Sequence, residues 1–503
     1  MSAEILPWGL LAPERRLFLD HLAGKAAARD LLGGRGWDDK AVAAAVEERR
    51  KSPLPHRAEM ARAVSAYAKT LSCPDAESAA SRLADPAAIV VVGAHQPAVA
   101  GGPLLAFAKA IGTLALARRL ETAGAGPVVP VWWVASEDHD LAEAGAVLLG
   151  DGRRGSDLLR GVPSDRRMLS RIPAPRLAEA AGDAAGSEFV CSVVGGSEGP
   201  EGASLGLAAA RVFAGLLARH GLVVAEPHVL RPFARAAFER DVREPGVLAA
   251  AVREGNSRVR AAGYATVLDD PPGPLHFRVD ADGRRSRGGG TDEDLRDPAN
   301  RLSADVALRV LAQDLALPVA AQVGGPTEIE YLAAILPARA AVGAFTPCAV
   351  PRPGVTILER RVEEALREFG AEPASLYRGG ESALRAPAAA GDPLVAEARR
   401  LRAELERAAG RSDALPAAVR SRLARAKDGL EELAAAVERA EAERRGVGEG
   451  RRRKVLEALL PDGVPQERRW ALLPFLLRHG PALAERMVEE LSGPEPGHRV
   501  IRA

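Results

Sequence analysis

The chain has 503 residues, 47% of them hydrophobic, which supplies enough apolar surface for one large core or roughly two to three ordinary ones and excludes a disordered protein. Its 68 Lys and Arg balance 67 Asp and Glu, so there is no global field for nucleic acid or an anionic membrane, although a local basic pocket for a small acidic or zwitterionic ligand requires none. Cys73, Cys191 and Cys348 are far apart and form no CxxC pair, which excludes a disulfide framework and a cysteine-based zinc site; with no signal-like segment over Met1 to Leu11 and no apolar run of about 20 residues, a soluble protein of a reducing cytoplasm is expected.

Residues 1–88 read as an N-terminal helical layer, with Ala-rich amphipathic patterns at Ala41 to Arg49 and Ala58 to Leu71 broken by Pro53, Pro55 and Pro74. A core follows over 89–385. Ile89 to Val92 is a short buried strand, Gly93 to Pro103 a Gly/Pro-containing loop, Leu104 to Leu120 a helix, and Val128 to Val134 a second strand. That is a βαβ unit, whose crossover is nearly always right-handed and whose strands are therefore parallel. Further strands are expected at Leu222 to Ala225, Pro318 to Val323 and Cys348 to Val350, giving a doubly wound α/β sheet. The stretches near 150–205 and 269–300 are rich in Gly, Arg, Ser and Pro and read as insertions or flexible loops on the sheet. Arg378 to Arg469 lacks aromatic residues. Leu394, Ala398, Leu401, Leu405 and Ala408, then Val419, Leu423, Ala426, Leu430, Leu433, Val437 and Ala440, form an a/d seam on two helices joined by a turn at Gly410 to Asp413. An antiparallel coiled-coil hairpin over 386–450 results, its seam closing on itself or docking a second subunit. A C-terminal helical segment, 451–503, carries Trp470, Leu472, Leu473, Phe475 and Leu476 and should pack back on the core.

Three strand ends could carry chemistry. The first loop holds His95, Gln96, Gly101 and Gly102 and leads to Lys109; its helix start suits a carboxylate or phosphate, but it is neither GxGxxG nor a P-loop. The second strand runs straight into Glu137-Asp138-His139-Asp140, where carboxylates beside an imidazole can orient a general base or hold an amine, against the bland reading of a solvated strand-to-helix turn. A metal there would need His95 to join Asp138, His139 and Asp140 through tertiary contact, because His-x-His and His-x-x-x-His spacings are absent, and no metal site is assigned. The third loop offers Gln322, Gly324, Gly325, Glu328 and Tyr331, with Glu328 placed to cap a helix or bind a cationic group. Arg352, after the Cys348 strand, offers a guanidinium to a carboxylate, while Cys348 reads as a small buried hydrophobe.

These motifs resemble the BshC family, the cysteine-adding enzymes of bacillithiol biosynthesis. The family's TGQQPGLFGGPLY loop and helical Lys are similar to Gly93 to Leu104 with Lys109; its PVFWIASEDHD strand is nearly Pro130 to Asp140; its VGGPGEIAY segment is similar to Val323 to Tyr331; and its QER element matches Gln466-Glu467-Arg468. Ala94 and Ala98 stand where the family usually has glycine, and His95 where it has glutamine. The resemblance covers about 89–480 and implies a Rossmann-like, nucleotidyltransferase-like core with connecting insertions, a helical coiled coil and a homodimer formed through it. The implied reaction joins the carboxyl group of L-cysteine to the amine of glucosaminyl malate.

On this reading the Gly-rich loops bind anionic parts of the substrates, and Glu137, Asp138 or His139 holds and deprotonates the attacking amine, which is nucleophilic only when neutral. No motif identifies a phosphate donor, so ATP or another nucleotide stays open as cofactor. The rivals are a related amide-forming ligase or nucleotidyltransferase on another amine and carboxylate, and a non-catalytic coiled-coil adaptor. Retention of Glu137, Asp138, His139, Asp140 and Glu328 weighs against the adaptor, because burying such groups is costly without a use.

Overall fold

The computed structural model describes residues 3–150, 152–175, 188, 190, 202–384, 393–410, 416–444 and 448–503. It divides into two units, one formed by residues 1–355 with 467–501 and the other by 356–466 with 502–503. The first contains the parallel sheet, built from β1 (Ile89–His95), β2 (Val128–Val134), β3 (Val223–Ala225), β7 (Val319–Gly324) and β8 (Cys348–Pro351) in the order β8-β7-β1-β2-β3. All neighbours are parallel. The strands are runs of Val, Ile, Ala and Trp because both faces are covered, and every residue of β2 is buried. Each fully buried Val contributes roughly 1.5–3 kcal/mol of transfer free energy.

One face carries α1 (Leu104–Thr122) and the N-terminal helix Asp39–Arg50, whose Val42, Ala45 and Val46 join Leu116, Leu120, Ile89, Val128 and Ala320 in one core cluster. Asp38 caps that N-terminal helix through the Ala41 N–H at 2.9 Å. At α2 (Leu205–Leu217), Phe213 stacks on Phe107 and lies 4.7 Å from Trp132. Of the C-terminal segment 451–503, residues 467–501 belong to this unit, where Leu104 N–H bonds the Trp470 carbonyl and Ala471 N–H the Leu148 carbonyl. A strand unforeseen in the sequence, His498–Arg502, pairs antiparallel with Glu4–Leu6.

Of the two alternatives for 269–300, the structure has an insertion with strands of its own. Its β4 (His276–Val279) and β5 (Arg285–Arg287) join β6 (Leu302–Ala304), just beyond it, in an antiparallel sheet ordered β5-β4-β6. The strands have three or four residues each, too short to show alternation between the Gly and Asp turns. Part of the 150–205 insertion, with Cys191, lies outside the described residues.

In the second unit α5 (Pro393–Ala409) and α6 (Ala417–Arg444) pack along each other. The hairpin is there, but its buried seam is displaced from the expected one. Val395, Ala398 and Ala434 are buried with Leu430 and Val437 against them, whereas Leu394, Leu401, Val419 and Leu433 are exposed. The small Ala398 and Ala434 let the helices approach, and Arg399–Glu438 and Arg402–Glu431 pairs flank the seam, so the larger leucines turn outward. The turn beyond Gly410 lies outside the described residues.

His498 is fully buried, 3.8 Å from Glu467, and burial pulls its pKa down to about 4 despite that carboxylate. An unfolded chain takes up this proton near 6.5 and the folded one only near 4, so the stability is complete above pH 6.5 and falls as pH drops through that window. His498→Asn should flatten the fall in urea midpoint between pH 6.5 and 4 by up to about 3 kcal/mol in unfolding free energy. An unchanged pH profile would show that other groups carry the acid sensitivity.

Candidate active site

The strand order fixes where a ligand can sit. The chain runs from β1 outward through β2 to β3, then returns to the other side of β1 with β7 and β8, so the topological switch point lies between β1 and β7 at their carboxyl ends. A cavity of about 600 Å³ opens there. Its walls include His95 and Gln96 after β1, Glu137 to His139 after β2, Gly325 to Glu328 after β7, and Phe277, Arg285 and Ala304 from the small sheet.

Lys109 on α1 is 5% exposed and donates to the Ala94 carbonyl at 2.7 Å and to Glu328 Oε2 at 2.5 Å. Burial opposes charge on both partners, but Lys109 and then Arg309 outweigh it at Glu328 and hold that carboxyl below its ordinary value. Glu328 therefore serves a buried ion pair at the start of α4 (Pro326–Ala341). His95 Nδ1 lies 2.8 Å from the Gln96 carbonyl, and burial followed by the Lys109 charge lowers its pKa to about 4, so the ring is neutral at pH 7. Donation from Nδ1 leaves Nε2 as an acceptor.

The Glu137 to Asp140 turn separates into unlike roles. Glu137 Oε2 accepts from Arg231 Nη2 at 2.8 Å and from the Ala304 N–H at 3.0 Å, with Glu137 and Arg231 both buried. Asp138 Oδ1 accepts from the backbone of His139 and Asp140, closing a tight turn. Asp140 caps the short helix Leu141–Ala144 and is not among the residues lining the cavity. His139 lies half-buried; Arg285 Nη1 donates to its Nδ1 at 3.2 Å, and burial followed by that guanidinium lowers its pKa, leaving it neutral with Nε2–H as donor. Behind the turn, Ser136 donates to Glu226, which also accepts from Tyr67 at 2.8 Å.

Several expected ligand groups are otherwise engaged. Gly101 and Gly102 are absent from the cavity wall: Gly101 packs on Val212 and Phe107, and both residues are glycine because φ is +80° and +104°. A Cβ on Gly324 would meet Glu328 Cγ at 3.1 Å, and one on Gly325 would meet Arg352 Nε at 3.2 Å, so these glycines make room for protein side chains. Gln322 is buried within the sheet, accepting from Arg339. Arg352 is 2% exposed and held by both oxygens of Glu467 at 2.6 and 3.0 Å, with a further bond to the Pro353 carbonyl. Burial disfavours the Glu467 carboxylate, yet Arg352 overcomes this and brings its pKa to about 2. Arg352 thus neutralises a carboxylate of its own chain.

Sequence reasoning missed Glu143, Phe277, Arg285, Asp305, Arg309 and Arg468, all on the cavity wall. Arg285 lies in the stretch read as an insertion or flexible loop; its guanidinium stacks 3.9 Å over Phe277 and bonds Ser303 and the Ala304 carbonyl. Arg309, on α3 (Val306–Ala316), donates to Tyr331 at 2.9 Å, and a basic residue on the apolar N-terminal half of that helix was the available signal.

The same two-part organisation is found in known proteins. The model for the bacillithiol biosynthesis BshC N-terminal Rossmann-like domain matches residues 10–295 and 291–353, and that for the BshC C-terminal coiled-coil domain matches 355–503. Proteins named "Putative cysteine ligase BshC" are 31% identical in Heliobacterium modesticaldum, with 82% of each chain covered, and 30% identical in Thermus thermophilus, covering 87% of this chain and 93% of the relative. One in Koribacter versatilis is 29% identical over the full length of both. Among the described residues, no helix is long and apolar enough to cross a membrane.

The Glu137–Arg231 pair carries a stability consequence. Glu137→Ala should strand a buried guanidinium and cost about 3–5 kcal/mol in urea unfolding, whereas Glu137→Leu with Arg231→Met should recover much of that loss. Equal destabilisation by the single and double variants would deny the pair this role.

Proposed function

As the chain belongs to the BshC family of bacillithiol biosynthesis, we propose that it is a ligase that joins the carboxyl group of L-cysteine to the amine of glucosaminyl malate in the cavity between β1 and β7. The observation that carries this reading is the Asp138-His139 turn, open to the cavity and backed by Arg285 and the Glu226 network. Asp138, with its side chain 41% exposed, holds the amine and takes its proton as the amine attacks the carboxyl carbon of cysteine, the C–N bond forming as the C–O bond to the group left by a carboxyl-activating nucleotide breaks and that group departs. His139 presents Nε2–H to a substrate oxygen. Glu137 positions the turn, since both its contacts commit it to Arg231 and Ala304. The neutral Nε2 of His95 accepts a substrate hydroxyl or ammonium proton, while the Lys109–Glu328 pair ties α1 to the start of α4 beside the cavity.

The purified chain given L-cysteine and glucosaminyl malate, with ATP or another carboxyl-activating nucleotide, should form their amide by mass spectrometry, and deleting the gene should remove that thiol from the cell. Asp138→Asn and His139→Ala should each lower kcat about a hundredfold to ten-thousandfold while leaving the unfolding midpoint within a few degrees. Near wild-type turnover in both would reduce the turn to a structural element, and a thiol profile indifferent to the gene would redirect the reading to another amine and carboxylate.

The reading includes a homodimer through the hairpin. Leu394, Leu401, Val419 and Leu433 are 38–48% exposed on α5 and α6, and a second copy would cover them. Leu401→Glu with Leu433→Glu should halve the mass seen by light scattering without loss of helicity. A dimer that survives both changes would remove the hairpin from the interface.

A further inference from the structure

Among the described residues, five buried cationic side chains stand in or against the cavity, and in four of them every terminal nitrogen is hydrogen-bonded. Lys109 serves Glu328 and the Ala94 carbonyl. Arg352 serves Glu467 and the Pro353 carbonyl. Arg231 serves Glu137 and the carbonyls of Pro298 and Ala299. Arg285 uses Nε on Ser303, Nη1 on His139 and Nη2 on the Ala304 carbonyl. Arg309 differs. Its Nη2 donates to the Tyr331 hydroxyl, but its Nη1 is buried with no hydrogen-bond partner, although the side chain is only 9% exposed and lines the cavity.

A guanidinium always carries its charge and all five of its N–H donors, so a buried N–H left unmet costs about 1–3 kcal/mol. No carboxylate lies within ion-pair distance of Arg309, among the described residues, although Glu328 is near enough to support its charge. The geometry points to Arg309 as a specificity residue whose Nη1 donates to a carboxylate of the substrate other than the reacting one. The inference rests on the reading of the cavity as the glucosaminyl malate site and adds to it the side chain that recognises the malyl carboxylates. Position supports the assignment. Arg309 stands on α3, immediately after the small sheet, while the reactive turn follows β2, so the charged tail and the amine of one ligand are held by different elements. Tyr331 holds the guanidinium from α4 through Nη2, and both residues line the cavity while Nη1 is left for a further acceptor.

The test compares two ligands by calorimetry without cysteine: glucosaminyl malate, and methyl glucosaminide, which keeps the amine and sugar but has no carboxylate. The wild-type chain should bind the malate compound far more tightly. Arg309→Gln should lose about 10- to 100-fold in affinity for glucosaminyl malate, with methyl glucosaminide changed less than about twofold, and Arg309→Lys should recover part of the loss. In turnover the effect should fall on KM for the malate substrate more than on kcat. Equal weakening of both ligands, or full affinity of Arg309→Gln for glucosaminyl malate, would overturn the assignment while leaving the proposed reaction intact. If Arg309→Gln fails to fold, Arg309→Lys decides alone, because it keeps a charge but loses the fork: undiminished discrimination between the ligands would overturn the assignment. Failure of the wild-type chain to bind glucosaminyl malate would instead overturn the functional reading, and this inference with it.

Discussion

The Lys109–Glu328 ion pair is the contact on which the site's geometry depends. Its two partners come from α1 and α4, the helices that follow the two strands on either side of the switch point, and Lys109 also holds the Ala94 carbonyl at the end of β1. Two charges placed in so dry a position are expensive to desolvate, and only mutual attraction with close hydrogen bonds offsets that cost. The pair contributes definition more than stability. An apolar contact could slide by an ångström at little cost, whereas a 2.5 Å charge-assisted bond cannot.

Much of the architecture was legible because its signals are local. β2 reads as a strand from its uninterrupted apolar run, and the abrupt change to Glu137 marks its end at the ligand crevice. What could not be read depends on tertiary accounting. Glu137, Asp138 and Asp140 are carboxylates of one turn, yet one pairs with Arg231, far away in sequence, one faces the cavity and one caps a helix. Spacing shows that ionisable groups gather at a strand end; it is silent on which of them another part of the chain neutralises.

The glycines and the seam show the same limit in other forms. Gly101 and Gly324 occupy the turns expected of ligand loops, but what fills the space beside them is Val212 and Glu328. In the hairpin a shift from Leu394 to Val395 leaves the heptad period intact while rotating large side chains outward, and only the facing helix decides between registers. The small antiparallel sheet was the largest omission. It delivers Phe277 and Arg285 to the cavity, so part of what distinguishes this pocket from a bare Rossmann-like crevice comes from an insertion.

The Arg352–Glu467 pair also bears on how the chain comes to be made. Arg352 lies near the end of the first long contribution to the core unit, and Glu467 opens the second, with the whole 356–466 segment between them. A chain growing from its N-terminus will present β8 and its guanidinium well before the carboxylate that neutralises it has been synthesised. The pairing of Glu4–Leu6 with residues 498–500 waits longer still, since these partners lie at opposite ends of the described chain. The nascent core is thus open at one corner while the intervening chain is made, and that corner closes only after the strand His498–Arg502 has emerged. Truncations that remove this strand, or tethers that restrain it, act on a late step and leave the early βαβ unit free to form.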